Sequence, residues 1–308
     1  STVSRSLADH PDISQETKNI VNAYAREHKY KPNALALSLR TNNTKTIGVI
    51  LPQIVHYFFS SVLSGIEDEA EKGGYRVIIC QSNENYEKEV KGAQALLEAR
   101  VCGVLASVAK TTTIYNHFQE LIDSDIPMVF FDRICTGILT DRVVVDDYAG
   151  VCSAVEYLIR SGCRRIAFFG SPSHLAISNN RRMGYEDALR KNGLPVDKEL
   201  IKICDNYTEA LRLTPEFFAV NDETAIGVLN VVKAKGLRIP DEVSICGFTN
   251  NSLAEVSDPL LTSVDQHGYE LGAIAMRLLI ERLNGVRDGD RIVSKIIKTN
   301  LVVRQSTR

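Results

Sequence analysis

The chain has 308 residues, 44% hydrophobic and 24% charged, an ordinary globular balance with length for two domains and sizeable cores. No apolar run approaches the ~18 residues a membrane span needs. No basic-apolar signal segment opens the sequence, so a cytoplasmic protein is expected. The seven cysteines form no C-x-x-C pair and no His/Cys cluster, which fits free thiols and argues against a disulfide framework or a metal site. The formal net charge of −2 is uneven. Residues 1–45 carry seven Lys/Arg against four acids, an excess of three positive charges, and the remainder carries an excess of five negative ones. A basic head on an acidic body points to a polyanionic partner for the head alone.

In chain order, residues 1–7 read as a helix and Asp9-His10-Pro11-Asp12 as a turn. Ser14 is a good N-cap with Glu16 in the first turn, and Ile20, Val21, Tyr24 and Ala25 then make one apolar face. Two such short helices bury little core, and the segment as it stands is expected to be incomplete or poorly ordered. Residues 33–40 form one short helix, with Pro32 before it and Leu35 and Leu39 four apart. A helix of about eight residues falls short of the ~12–15 that are marginal in water, so it is expected to be coil until something docks on it. An ordinary linker is the alternative.

From residue 46 a repeating beat begins. Apolar runs of strand length lie at 47–51, 75–80, 101–107, 128–131, 143–145, 166–169, 217–220, 243–246 and 292–303. Helical patterns lie between them at 60–72, 87–99, 112–124, 148–161, 181–192, 224–235 and 269–284. Apolar strands alternating with helices imply parallel sheets covered on both faces, and about ten strands favour two doubly wound α/β subdomains over one sheet. Ligands of such sheets sit beyond the carboxyl ends of the strands. There the sequence places an aromatic group with His56, Tyr57, Phe58 and Phe59, then Ser107 and Lys110, Asp132-Arg133, Asp146-Asp147, Asn221-Asp222 and Thr249-Asn250. Asp147 is expected to cap the following helix, and Arg181 to open another. One polar residue after a strand is a cap; a set of them resembles a polar small-molecule pocket. No G-x-S-x-G elbow, P-loop or G-x-G-x-x-G follows the first strand, and no nucleophile–base pair stands out, so neither an enzyme nor a cofactor is expected.

The motifs K-Y-K-P-N-A-L-A-L-S-L-R-T-N-N-T-K-T-I-G-V-I, F-F-D-R, V-V-V-D-D-Y-A-G, R-R-M-G-Y-E-D-A-L, F-F-A-V-N-D-E-T-A-I-G and P-L-L-T-S-V-D-Q, in this order and spacing, resemble the LacI/GalR family of bacterial transcriptional regulators over essentially the whole chain. The resemblance implies a partial helix-turn-helix headpiece and hinge helix over residues 1–45. It implies a periplasmic-binding-protein-like effector-binding and dimerisation core over 46–308, with crossovers between lobes near 146, 266 and 287. It implies a homodimeric, ligand-responsive repressor whose partners are operator DNA and a small effector, a carbohydrate first. Thr2, Ser4 and Arg5 would meet the major groove, Asn33 would open the hinge helix, and Leu39 with Arg40 would wedge the minor groove. The effector contacts would be Phe58, Phe59, Asp132, Asp146, Arg181, Asn221 and Thr249. Thr249 stands where the family has an aspartate, which lowers the charge there, and His56-Tyr57 replaces the usual Asn-Pro. The family's first helix is expected before Ser1, and residues are expected to be missing near Leu213. The runner-up is a periplasmic-type sugar-binding protein, which shares the core but not the basic head and hinge.

Overall fold

The computed structural model describes residues 2–7, 9–30, 44–171, 175–203, 217–219, 221–286 and 291–308, with 217–219 described by backbone alone. The expected hinge helix with Asn33, Leu39 and Arg40 lies outside the described residues, as does the stretch near Leu213 where residues are expected to be missing. The chain divides into two compact units, Ser1–Lys45 and Thr46–Arg308.

The first unit contains helices α1 (Thr2–Leu7) and α2 (Gln15–Glu27). The Ser14 hydroxyl accepts from Thr17 N at 3.3 Å, satisfying one of the orphan donors at the start of α2. Val3, Ile20 and Tyr24 are exposed, as expected of helices too short to enclose a core.

The second unit is built on two six-stranded sheets. The first holds β1 (Thr46–Leu51), β2 (Arg76–Gln81), β3 (Gly103–Ala106), β4 (Met128–Phe131), β5 (Asp141–Val145) and β11 (Ser294–Ile297). Their order is β11-β5-β4-β3-β1-β2, all parallel. The second holds β6 (Ala167–Gly170), β7 (Ile201–Ile203), β8 (Phe217–Ala219), β9 (Ile245–Thr249), β10 (Thr262–Asp265) and β12 (Asn300–Val302). Their order is β12-β10-β9-β8-β6-β7, parallel but for β12, which runs antiparallel to β10. Each sheet is covered on both faces. Along β1, Ile47, Val49 and Leu51 enter one core and Ile50 the opposite one, the period of two that a strand imposes.

The helices of the second unit are α3 (Tyr57–Lys72), α4 (Tyr86–Glu98), α5 (Asn116–Asp123), α6 (Asp147–Arg160), α7 (Ala176–Lys191), α8 (Asp222–Ala234), α9 (Ser252–Val256) and α10 (Gly268–Leu283). The chain leaves the first sheet after β5 and enters α6, whose buried face joins Phe168 and Phe248 of the second. It returns after β10, where α10 packs on α3 under the first sheet. The third passage lies at Lys298 and Thr299, between β11 and β12, and not near 287 as expected. The apolar stretch 292–303 is therefore two edge strands of two sheets. It carries no Gly or Pro at the break, so composition alone reads it as continuous.

Candidate functional site

Most of the polar strand ends converge where the two lobes face each other. A cleft there is lined by residues of both, among them Phe58, Phe59, Asp132 and Arg133 from the first lobe and Arg181, Asn221 and Thr249 from the second. Phe58 and Phe59 open α3 and meet edge to face with ring centroids 5.3 Å apart. Buried against the sheet, they give the cleft one apolar wall.

Asp132 follows β4 in the left-handed region, at φ 58°, which turns the chain sharply into the cleft. Its side chain is buried, accepting from the Ser107 hydroxyl at 3.4 Å. Burial pushes its carboxyl up to about 6, and the neighbouring Arg133 opposes that shift. Arg133 Nη1 donates to both oxygens of Glu84, each at 2.8 Å, and its guanidinium stands 5.8 Å from the centre of the Phe59 ring. Glu84 also accepts from the backbone N of Lys110 at 2.7 Å.

Across the cleft, Arg181 Nε donates to Asp147 Oδ1 at 2.7 Å, and its guanidinium lies 4.1 Å from the centre of the Phe248 ring. Both partners are buried, and burial raises the Asp147 carboxyl while Arg181 pulls it back. Arg181 was expected to open its helix. It lies instead in the second turn of α7, whose polar start A-I-S-N-N lacks the apolar periodicity that marks a helix.

The two aspartates after β5 exchange their expected parts. Asp146 is the N-cap of α6, accepting from Ala149 N at 3.0 Å, and does not line the cleft. Asp147, expected as the cap, is the acid that holds Arg181. A one-residue offset in the helix start decides which carboxylate faces the backbone and which the cleft.

Asn221 caps α8, accepting from Thr224 N at 2.7 Å. Asp222 beside it is wholly buried; it accepts from Ser263 Oγ at 2.5 Å and from Asn251 N at 2.7 Å, and burial pushes it up to about 6. Thr249 ends β9 at φ 144°, a conformation strained for a β-branched residue, and its hydroxyl donates to Gln266 Oε1 at 3.1 Å. His56 shares a hydrogen bond with Glu223 of the opposite lobe at 2.9 Å and another with Gln53 at 2.7 Å. Glu84, Glu223, Asn251 and Gln266 escaped the sequence reading. Glu84 and Gln266 follow β2 and β10 closely, and the strand-end rule finds them once those strands are inspected.

Asp222 gives a pH-dependent stability. Its folded carboxyl titrates near 6, well above the unfolded value, so the native state holds the proton more tightly. The resulting stabilisation is full below about pH 4 and is lost as pH rises through 6, on the order of 3 kcal/mol in all. Asp222→Asn leaves a side chain that still accepts from Asn251 N, with Ser263 Oγ free to accept in turn. Urea midpoints taken from pH 4 to 7 should fall with pH more steeply in the parent than in the variant; parallel profiles would refute the assignment.

On the head, Thr2, Ser4 and Arg5 all lie on α1, with Thr2 and Arg5 exposed and Ser4 half-buried. No described helix is long and apolar enough to cross a membrane.

Two family models match the chain. One is the periplasmic binding protein-like domain, over residues 155–307, and the other is bacterial regulatory proteins of the lacI family, over residues 1–33. The HTH-type transcriptional regulator RegA of Clostridium saccharobutylicum is 32% identical over 320 residues, covering 99% of this chain and 95% of that protein. The HTH-type transcriptional repressor CytR of Escherichia coli (strain K12) is 32% identical over 321 residues, covering 100% of this chain and 92% of that one. Among solved structures, a periplasmic binding protein/LacI transcriptional regulator from Alkaliphilus metalliredigens QYMF, complexed with D-xylulofuranose, is 29% identical with a TM-score of 0.74, over 86% of this chain and 99% of that one. With likeness of this extent running from the basic head through both lobes, the chain belongs to the lacI family of bacterial regulatory proteins and is a transcriptional regulator.

Proposed function

We propose that this regulator is a cytoplasmic, homodimeric repressor that binds operator DNA through residues 1–45 and senses a sugar or sugar derivative in the cleft of 46–308, with no catalytic role. One observation carries the reading. Asp132 and Arg133 of one lobe and Arg181 and Asn221 of the other line a single cleft, so contacts to a bound molecule change whenever the lobes change their angle. A ligand shifts the operator equilibrium only through such differential contacts. The head supplies Thr2, Ser4 and Arg5 to the major groove, and Asn33, Leu39 and Arg40 to a hinge that orders on the duplex. Phe58, Phe59, Asp132, Arg181, Asn221 and Thr249 meet the effector, with Asp147 holding Arg181. A periplasmic-type binding protein would share the cleft but would ignore DNA.

Two variants separate the two functions. The operator is first selected from genomic fragments with the full chain, and release is then followed by fluorescence anisotropy against a sugar panel. Asp132→Asn keeps operator affinity and weakens the releasing sugar about 10- to 100-fold, the loss of a charge-assisted hydrogen bond in a dry cleft. Leu39→Ala does the reverse, weakening operator binding more than non-specific binding and leaving sugar affinity unchanged. Release of the Asp132→Asn protein at the parent's sugar concentration would remove Asp132 from the effector site. Operator binding without salt dependence would remove the DNA-binding reading altogether.

A further inference from the structure

Three cationic side chains line the cleft, Lys110, Arg133 and Arg181, and each already has a carboxylate. Glu84 takes both of its oxygens to Arg133 at 2.8 Å and lies 3.9 Å from Lys110 Nζ. Asp147 takes Arg181 at 2.7 Å, and the Phe248 ring covers that guanidinium. Further carboxylates, Asp132, Asp222 and Glu223, reach the same cleft; Asp132 lies 3.9 Å from Arg133 Nε, which Glu84 already holds, and Glu223 lies 2.9 Å from His56. The fixed charge of the cleft is therefore balanced or negative, and its guanidiniums are engaged before any ligand arrives.

We infer, on the reading that the cleft holds the effector, that it takes an uncharged polyhydroxylated molecule and rejects phosphorylated or carboxylated forms of the same molecule, and that Glu84 sets this selectivity. An entering anion would have to pull Arg133 off Glu84, leaving that half-buried carboxylate only the more distant Lys110 ammonium, or lie beside the carboxylates of Asp132 and Glu223. Like charges at such range are strongly unfavourable where water is scarce. A neutral polyol meets neither cost. Its hydroxyls donate to the carboxylates and accept from Asn and Gln amides, while its C–H face covers Phe58 and Phe59. The carboxylate lost at Thr249 does not make the cleft anion-friendly, because Asp222 stands behind the same wall.

Glu84→Gln tests the inference, since an amide keeps an acceptor for the Lys110 backbone N while leaving Arg133 without its anion. Calorimetry on the full chain, without DNA, compares D-ribose with ribose 5-phosphate, D-glucose with glucose 6-phosphate and with gluconate, and inorganic phosphate alone at matched ionic strength. The parent should bind the neutral member of a pair at least tenfold more tightly than its anion and should not bind inorganic phosphate at millimolar concentration. Glu84→Gln should narrow that ratio at least tenfold and acquire phosphate binding, whereas Glu84→Asp, which keeps the charge, should behave as the parent does. Equal affinity of the parent for a sugar and its phosphate ester overturns the inference, as does a Glu84→Gln protein with no gain in phosphate binding. Because binding is read on the protein alone, and the phosphate arm needs no sugar, the result is distinct from whether any sugar releases an operator.

Discussion

Arg181→Ala lowers the free energy of unfolding by about 3–5 kcal/mol at neutral pH. The change removes the cation 2.7 Å from Asp147, a carboxylate 3% exposed, and strips the guanidinium from the face of Phe248. What remains is a buried charge without compensation, which costs far more than the intact pair contributes. Asp147 answers by taking up a proton. Burial already raises its carboxyl against the pull of Arg181, and without that pull it rises further above the unfolded value. The sign follows: the loss is largest at alkaline pH and shrinks as pH falls and the folded state takes up the Asp147 proton. Urea denaturation at pH 5 and pH 8 checks both parts. A loss below about 1 kcal/mol at pH 8 would mean that water solvates Asp147. Replacing both partners, as in Arg181→Met with Asp147→Leu, should recover most of the stability, since apolar pairs often substitute for buried ion pairs. For this reason Arg181→Ala is a poor probe of effector binding: it mixes lost folding with lost contact, and Asp132→Asn does not.

The strand-end rule explains which parts of the site were legible. Asp132, Arg133, Asn221 and Thr249 each follow an apolar run, and a parallel sheet brings the ends of its strands to one edge. The rule fails where the strand itself is hidden. β10 reads T-S-V-D, with Thr262 and Ser263 wholly buried and satisfied by Thr307, Asp222 and Ser306, so polarity conceals a core strand and with it Gln266. Glu84 was lost differently: β2 is an edge strand, half exposed, and Glu84 stands three residues beyond its end, past the position next to the strand. The exchange between Asp146 and Asp147 turns on one residue of helix start, below what capping preference resolves between two adjacent carboxylates. The two lobes were legible because periodicity is averaged over many residues. The third crossover was not, because the polar break Lys298-Thr299 holds neither Gly nor Pro and neither residue forces a turn.

Gly272→Ala should destabilise by about 3 kcal/mol, against the direction that helix propensity predicts. Alanine in place of an interior helical glycine is favourable by up to about 1 kcal/mol on intrinsic grounds. Here a Cβ at Gly272 would lie 2.0 Å from the carbonyl oxygen of Val62, and one at Gly65 would lie 2.1 Å from that of Tyr269. The obstacle is backbone in both cases, so no rotamer change relieves it, and α3 and α10 must separate. Separation opens the core they share, where Val62, Ile66, Leu271, Ala275 and Met276 are buried. The steric cost exceeds the propensity gain by its size, which fixes the sign. Gly193→Ala is the contrasting case: at φ 72° with nothing within 4 Å, it should lose only the ~1 kcal/mol of a left-handed alanine. The consequence reaches the cleft, because α3 begins with Phe58 and Phe59 and the latter lies under Arg133. Displacing α3 should weaken the proposed effector along with the fold, and Gly65→Ala should do so too, since it breaks the same contact from the other helix. Equal or raised urea midpoints in the Gly272→Ala protein would show that the helices part at little cost and that their glycines reflect no close approach.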